Sequence, residues 1–224
     1  IAYNFIKYAS TLPYYFFVKK ISIKKIQYLS FFCGFSLIIS LFYANILTIF
    51  FGLFLSLFCF IYVIPFNRSK KNIRNHSRIK IFIVAFCWAS VTVLFPLTNE
   101  TDIDFLNSFL LFIQRFVFII AYTIPFEIRD LKYDSLNLKT MPQVFGIKKT
   151  KKIALFLLLL FNLINLWLSP IILNYLISDL LIALIAGYLI WISRKNQTKY
   201  FASFWVESIP LIWLIIILLL KSIN

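Results

Sequence analysis

The first 99 residues of this 224-residue chain contain no aspartate and no glutamate. Eight acidic residues stand against 23 lysines and arginines, and there is one histidine. These shortages exclude several chemistries. His76 lies alone in a basic stretch, so histidine-based metal sites and Ser-His or Cys-His catalysis lack their parts. It reads as a solvated loop residue. Cys33, Cys59 and Cys87 sit singly inside apolar runs, without metal-ligand spacing. They read as small buried hydrophobes. The four glycines, Gly34, Gly52, Gly146 and Gly187, are too scattered for a glycine-rich phosphate loop. Charged residues make up 14% of the chain, where a soluble domain carries about a quarter.

The rest is apolar. Hydrophobic residues reach 62%, aromatic ones 20%, and the mean hydropathy is +0.89. That composition specifies a polytopic membrane protein in a lipid bilayer, with little room for a soluble domain. The 27 phenylalanines beside many isoleucines and lysines fit an AT-rich coding bias, so the aromatic content says little about ligands. A net charge of +15 on a soluble protein would suggest nucleic acid. Here the positive charge lies in short connections between apolar runs, where the positive-inside rule accounts for it, and no nucleic-acid partner is expected.

A spanning helix needs about 20 apolar residues, with about 17 as a lower limit. Stretches 28–44, 46–65, 79–97, 105–126, 153–168, 171–193 and 201–220 qualify, and residues 1–18 read as the end of one more. Asn45 and Ser169-Pro170 mark tight turns between neighbouring spans. The chain opens on Ile1, already apolar, without the pattern of a signal peptide; the expectation is a missing natural start. Basic connections fall at 19–25, 68–80, 129–152 and 194–199, and hold most of the lysines and arginines. The intervening connections hold none, and 98–104 carries Glu100, Asp102 and Asp104. Every second connection is therefore expected on the cytoplasmic side of a cell (inner) membrane.

One segment concentrates acid. Glu127, Asp130 and Asp134 fall within eight residues, at the mouth of span 105–126 and on the expected cytoplasmic side. On a helical wheel all three share an arc of about 60°, with Arg129 and Lys132 pointing away. Three carboxylates on one face repel unless a cation lies between them, and hard carboxylate oxygens suit Mg²⁺, which binds through one or two carboxylates plus substrate phosphates. Lys139, Thr140, Lys148 and Lys149 follow, able to neutralise and hydrogen-bond a diphosphate. A solvated loop helix whose acids offset nearby lysines is the competing reading.

Residues 125–146, from Pro125 through Glu127, Asp130, Asp134, Lys139-Thr140 and Pro142 to Gly146, resemble the second Asp-rich motif of the UbiA family of intramembrane prenyltransferases. The helix count agrees. The family has nine transmembrane helices, with Asp-rich motifs after the second and the sixth. Four full spans lie here between the basic stretch 19–25 and the acids, and three follow. The resemblance implies an all-α, UbiA-like polytopic membrane bundle, one domain over 1–224, with about eight helices present and the N-terminal one missing. It further implies a transferase that moves an isoprenyl group from an isoprenyl diphosphate to an aromatic or lipid-like hydrophobic acceptor. In that scheme Glu127, Asp130 and Asp134 bind Mg²⁺, with Asp130 and Asp134 as catalytic residues. Arg129, Lys132, Lys139 and Lys148 bind the diphosphate.

The departure lies upstream. The family's first motif, Asn-Asp-x-x-Asp, finds its nearest counterpart at Asn4-Phe5-Ile6-Lys7-Tyr8, where Phe5 and Tyr8 replace the aspartates. Losing one electrostatic group that stabilises developing charge costs about 2.7–4 kcal/mol. The loss of two implies a slow enzyme, unless Lys7, Tyr8 or Lys19 contacts the diphosphate directly, or a family member that binds a polyprenyl lipid or a partner without turnover. A small transporter is disfavoured, because intramembrane charges are few and no repeated halves appear.

Three further features complete the reading. Arg115 lies mid-span, where a charge is costly; it either faces a substrate cavity, with Asn4 and Tyr8 as further lining, or forms a structural pair. Asn162 and Asn165 share a helix face and suit interhelical hydrogen bonds. Glu207, Trp88, Trp167, Trp191 and Trp205 read as interfacial residues.

Overall fold

A computed structural model describes residues 21–63, 77–134, 138–198 and 200–223. Asn4, Tyr8 and the rest of segment 1–18 lie outside them. Among the described residues the secondary structure is helical.

The chain divides into two compact units. In the first, α1 (Ile21–Leu41) and α2 (Ile46–Val63) form a hairpin. Asn45 closes the turn as sequence predicts. Its Oδ1 accepts from the Thr48 backbone N–H at 2.7 Å, and its Nδ2 donates to the Thr98 carbonyl at 2.7 Å. Thr98–Glu100 thereby belongs with the hairpin. Cys33 is exposed on α1 rather than buried, because this helix presents most of its apolar side chains outward.

The second unit holds the remaining helices. In α3, Ser77–Ala89 continues through a π turn, Ser90–Leu94, into Phe95–Leu97. α4 spans Phe105–Asp130, and its N-cap is Asp104, whose side chain accepts from the Asn107 N–H at 3.1 Å. The acid of connection 98–104 thus starts a helix, where a carboxylate complements the helix dipole. α5 covers Met141–Ile164 and ends in a 3₁₀ turn, Asn165–Trp167. α6 covers Leu173–Ile192, and a π turn at Phe201–Val206 precedes α7, Ile209–Ile223.

Two boundaries differ from the sequence reading. α4 runs to Asp130, so Glu127 and Asp130 lie on the helix itself. The stretch 141–152, read as a basic loop, is helical. Lysine is a good helix former, and a proline in the first turn is well tolerated there. Gln143 Oε1 accepts from the Thr140 N–H at 3.1 Å and fixes the start of α5. Gly146 breaks the ladder with φ 75° and ψ 158°, a region open essentially to glycine alone.

Within this second unit successive helices pack side by side around a core in which Ala85, Ala89, Ala121, Ala154 and Ala186 are fully buried. Such small residues let apolar helices approach closely without a polar driving force. Phe118, Phe161 and Trp213 fill the middle, with ring centroids 4.8 to 5.6 Å apart. Among the described residues five helical stretches, Lys80–Leu97, Phe105–Asp130, Met141–Trp167, Leu173–Ile192 and Phe201–Ser222, are long and apolar enough to cross a membrane. Their apolar side chains point largely outward, and Leu184, Trp191 and Leu211 are each more than 60% exposed. Such an outer surface belongs against lipid acyl chains.

Candidate functional site

The acids gather where α4 ends and α5 begins. Glu127, on the last turn of α4, is buried at 7% exposure. Its carboxylate accepts from the Met141 backbone N–H, the first of α5, and the charges of Lys80, Asp134 and Asp130 all act on it. The three predicted acids therefore share one electrostatic neighbourhood. The Asp134 N–H donates to the Asp130 carbonyl at 2.9 Å, which keeps helical register for one turn past the helix end.

Arg129 departs from the wheel. Its Nε donates to Asp130 Oδ1 at 2.8 Å, and its guanidinium lies 5.3 Å from the centre of the Phe126 ring. A long flexible stem lets an arginine fold back across its helix, which a wheel built on Cα directions ignores. Lys132, Lys139 and Lys148 are exposed. Lys139 takes a left-handed backbone conformation, φ 55°, immediately before Thr140. Lys80, which sequence reading assigned only to a basic connection, acts on Glu127 directly.

Two buried polar atoms at this junction lack hydrogen-bond partners: Glu127 Oε2 and the Thr140 hydroxyl. Leaving a buried polar atom unmatched costs about 1–3 kcal/mol. Among the described residues no group of three or more His, Cys, Asp or Glu side chains is placed to hold a metal ion, so there is no all-protein metal cage. Magnesium seldom uses one, since it keeps waters and substrate phosphates among its ligands. The orphaned Glu127 oxygen is a hard donor of the kind such an ion takes, and the charges of Asp130 and Asp134 act on the same carboxylate.

Other candidates separate from this cluster. Arg115 lies fifteen residues before Asp130 on α4, about 22 Å along the axis, and lines a different cavity. Asn165 bonds between helices as expected, donating to Asp179 Oδ2 at 3.1 Å. Asn162 instead donates to the Leu158 carbonyl of its own helix. Glu207 is exposed, and its charge acts on Tyr122. Trp88, Trp167, Trp191 and Trp205 are all more than half exposed, as interfacial rings should be. Asp179 went unnoticed in the sequence reading. A lone acid within an apolar run was the available signal, and Arg115 its natural counterpart.

A sequence model described as "UbiA prenyltransferase family" matches residues 18–216. That stretch takes in all the described helices except the end of α7. Among curated proteins and among solved structures no match is found.

Proposed function

Since the chain belongs to the UbiA prenyltransferase family, we propose that it moves an isoprenyl group from an isoprenyl diphosphate to an aromatic or lipid-like acceptor in the membrane. The observation that carries this reading is the buried, half-unpartnered Glu127 carboxylate, with Asp130 and Asp134 beside it at the end of a membrane-crossing helix. Glu127, Asp130 and Asp134 would hold Mg²⁺, which when bound neutralises charge on the departing diphosphate.

The chain's own groups supply the rest. Arg129 is 30% exposed and Asp130 27%, and an ion pair so placed is worth about 0–1 kcal/mol. Arg129 can therefore turn from Asp130 to a phosphate at little cost. Lys80, Lys132, Lys139 and Lys148 add cations around the same mouth, and the Thr140 hydroxyl offers a donor. The allylic C–O bond breaks, and its electron pair leaves with the diphosphate. The acceptor attacks the resulting carbocation and then loses a proton. The apolar helices take the prenyl tail and keep out the water that would otherwise trap the cation. The acid end of α4 and the basic connections face the cytoplasm of a cell (inner) membrane under this reading.

The acid-free first 99 residues favour a second reading, in which the same fold binds a polyprenyl diphosphate without turnover. One assay separates the two. Purified protein is given radiolabelled isoprenyl diphosphates of several lengths with Mg²⁺. Diphosphate release that vanishes in Asp130→Ala and Asp134→Ala supports transfer. Mg²⁺-dependent binding without release supports the second reading, and neither binding nor release sinks both.

A further inference from the structure

The face that α5 turns outward changes character along its length. Phe156, Leu159 and Leu163 are 58%, 54% and 46% exposed, and toward the N-terminal end Lys152 and Lys149 are exposed as well. At 100° per residue these five side chains fall within an arc of about 80°. The register holds, because the break at Gly146 precedes them all. They form one stripe, cationic at its start and apolar beyond. Phe156 and Leu159 lie about 6 and 10 Å farther along the axis than Lys152, within one leaflet of a hydrocarbon core about 30 Å thick. Side chains on a helix lean toward its N-terminus, so both lysine stems extend away from the apolar part of the stripe.

Among the described residues neither Lys149 nor Lys152 forms a salt bridge. The neighbouring helix adds further positive charge. Lys151 Nζ donates to the Trp191 carbonyl at 2.6 Å, at the C-terminal end of α6, and fastens the two helix ends together. Arg194, exposed just past that end, acts on the Lys151 charge. Trp191 itself is 67% exposed and marks the level of the membrane interface. Four cations from two helices thus gather where an outward apolar stripe begins.

A phosphodiester with hydrocarbon behind it fits both parts of the stripe. Its anionic oxygens accept from the lysine ammonium groups, and its chains lie on Phe156 and Leu159. Basic surfaces between helices at a membrane interface recruit anionic headgroups in this way. A soluble anion would use only the cationic part.

We propose that the end of α5 beside α6 holds an anionic phospholipid, with its phosphate on Lys149 and Lys152 and its chains along Phe156 and Leu159. Lys148, placed above at the diphosphate, is left out of this site. The site uses none of the Glu127–Asp134 acids and stands whether or not the chain transfers a prenyl group.

The test uses the full chain in a neutral detergent. Native mass spectrometry follows a titration with phosphatidylglycerol and, in parallel, with phosphatidylcholine carrying the same acyl chains. Each lysine should contribute about fivefold. Wild type should therefore prefer phosphatidylglycerol by about tenfold or more, and Lys149→Gln with Lys152→Gln should weaken it about 25-fold while leaving phosphatidylcholine unchanged. Lys24→Gln with Lys25→Gln removes the same charge from α1 and should change the affinity by less than about twofold. Glutamine forms helix about as well as lysine, and the thermal midpoint checks the fold. Equal affinity of wild type for the two lipids would overturn the proposal, as would equal losses in the two double variants. Complete displacement of the lipid by millimolar inorganic phosphate would assign the cations to a free anion. Tighter binding of polyglutamate than of phosphatidylglycerol would assign them to an acidic protein segment, and either result sinks the proposal. The comparison of the two lipids needs only wild-type protein, so it decides even where a variant fails to fold.

Discussion

The carboxylate of Glu127, on the last turn of α4, is hydrogen-bonded to the backbone N–H of Met141, the first residue of α5. The acid end of one helix is thereby fastened to the start of the next. An anion in that position also meets the positive end of the helix dipole, worth about 0.3–1 kcal/mol. Glu127→Gln retains an oxygen for Met141 but loses the charge. We expect a fall in Mg²⁺-dependent diphosphate release of about 10²-fold, the typical cost of one lost electrostatic group, with the thermal midpoint within a few degrees of wild type. Glu127→Ala should lower both. Equal activity of wild type and Glu127→Gln, read from radiolabelled diphosphate, would remove Glu127 from the site.

Metal dependence should follow the acids. Chelation with EDTA is expected to abolish both diphosphate release and diphosphate binding, and added Mg²⁺ to restore them. Asp130→Ala and Asp134→Ala should each raise the Mg²⁺ concentration needed for half-maximal binding, because fewer carboxylates remain to hold the ion. Titration of a fluorescent isoprenyl diphosphate analogue against Mg²⁺ measures this. Binding that persists unchanged in EDTA would count against a metal-carboxylate platform.

Gly146 offers a test of structure without chemistry. A methyl group built there meets nothing within 4 Å, so any cost comes from the backbone conformation at φ 75°. Gly146→Ala should lose about 1–3 kcal/mol, the usual strain in that region, as measured by reversible unfolding in SDS. If α5 relaxes instead, Met141 shifts relative to Glu127, and activity falls while stability holds. No change in either would mean that the kink is absent in solution.

The Arg115–Asp179 relationship predicts non-additivity. Asp179→Leu leaves a buried guanidinium without its counter-charge and should cost about 3–5 kcal/mol, whereas replacing both charges with apolar residues often costs far less. We expect Arg115→Leu with Asp179→Leu together to be more stable than Asp179→Leu alone, in a double-mutant cycle of unfolding free energies. Additive losses would show that the two charges do not communicate.

Two substitutions address the first motif. Replacing Phe5 and Tyr8 by aspartate writes the family pattern into Asn4–Tyr8. If those positions face the diphosphate as the resemblance implies, release should rise by about 10²-fold or more. An unchanged or lower rate in a folded variant would dissociate these residues from the site.

Much of this architecture was legible in the chain. Apolar runs bounded by Asn45 and Ser169-Pro170 gave the helices, because a membrane interior permits few other backbones. The acid spacing of Glu127, Asp130 and Asp134 singled out candidates because i, i+3 and i+7 fall on one face of a helix, although among the described residues the three do not stand together as a metal group. Most of the failures concern polar residues whose roles depend on side-chain reach or on partners distant in sequence. Arg129 was placed by its Cα direction, yet its side chain is long enough to turn back to Asp130. Lys80 and Glu127 are 47 positions apart, and Gln114 and Asp179 are 65 apart. No local pattern links such pairs. The helix at 141–152 was missed because a run of lysines reads as solvated loop, although lysine carries no penalty against helix formation.

The connection between α6 and α7 has a further role. The Gln197 side chain donates to the Pro125 carbonyl at 3.1 Å, two residues before Glu127. Its Oε1 meanwhile receives the Arg194 N–H at 3.2 Å, so the amide is anchored at both ends. This bridge works as a spacer gauge. Adding or removing a residue between Arg194 and Gln197 would break the anchor, and the last turn of α4 would lose its outside brace. The length of a short surface connection, about sixty residues in sequence from Glu127, Asp130 and Asp134, thus becomes part of the specification of where those carboxylates stand.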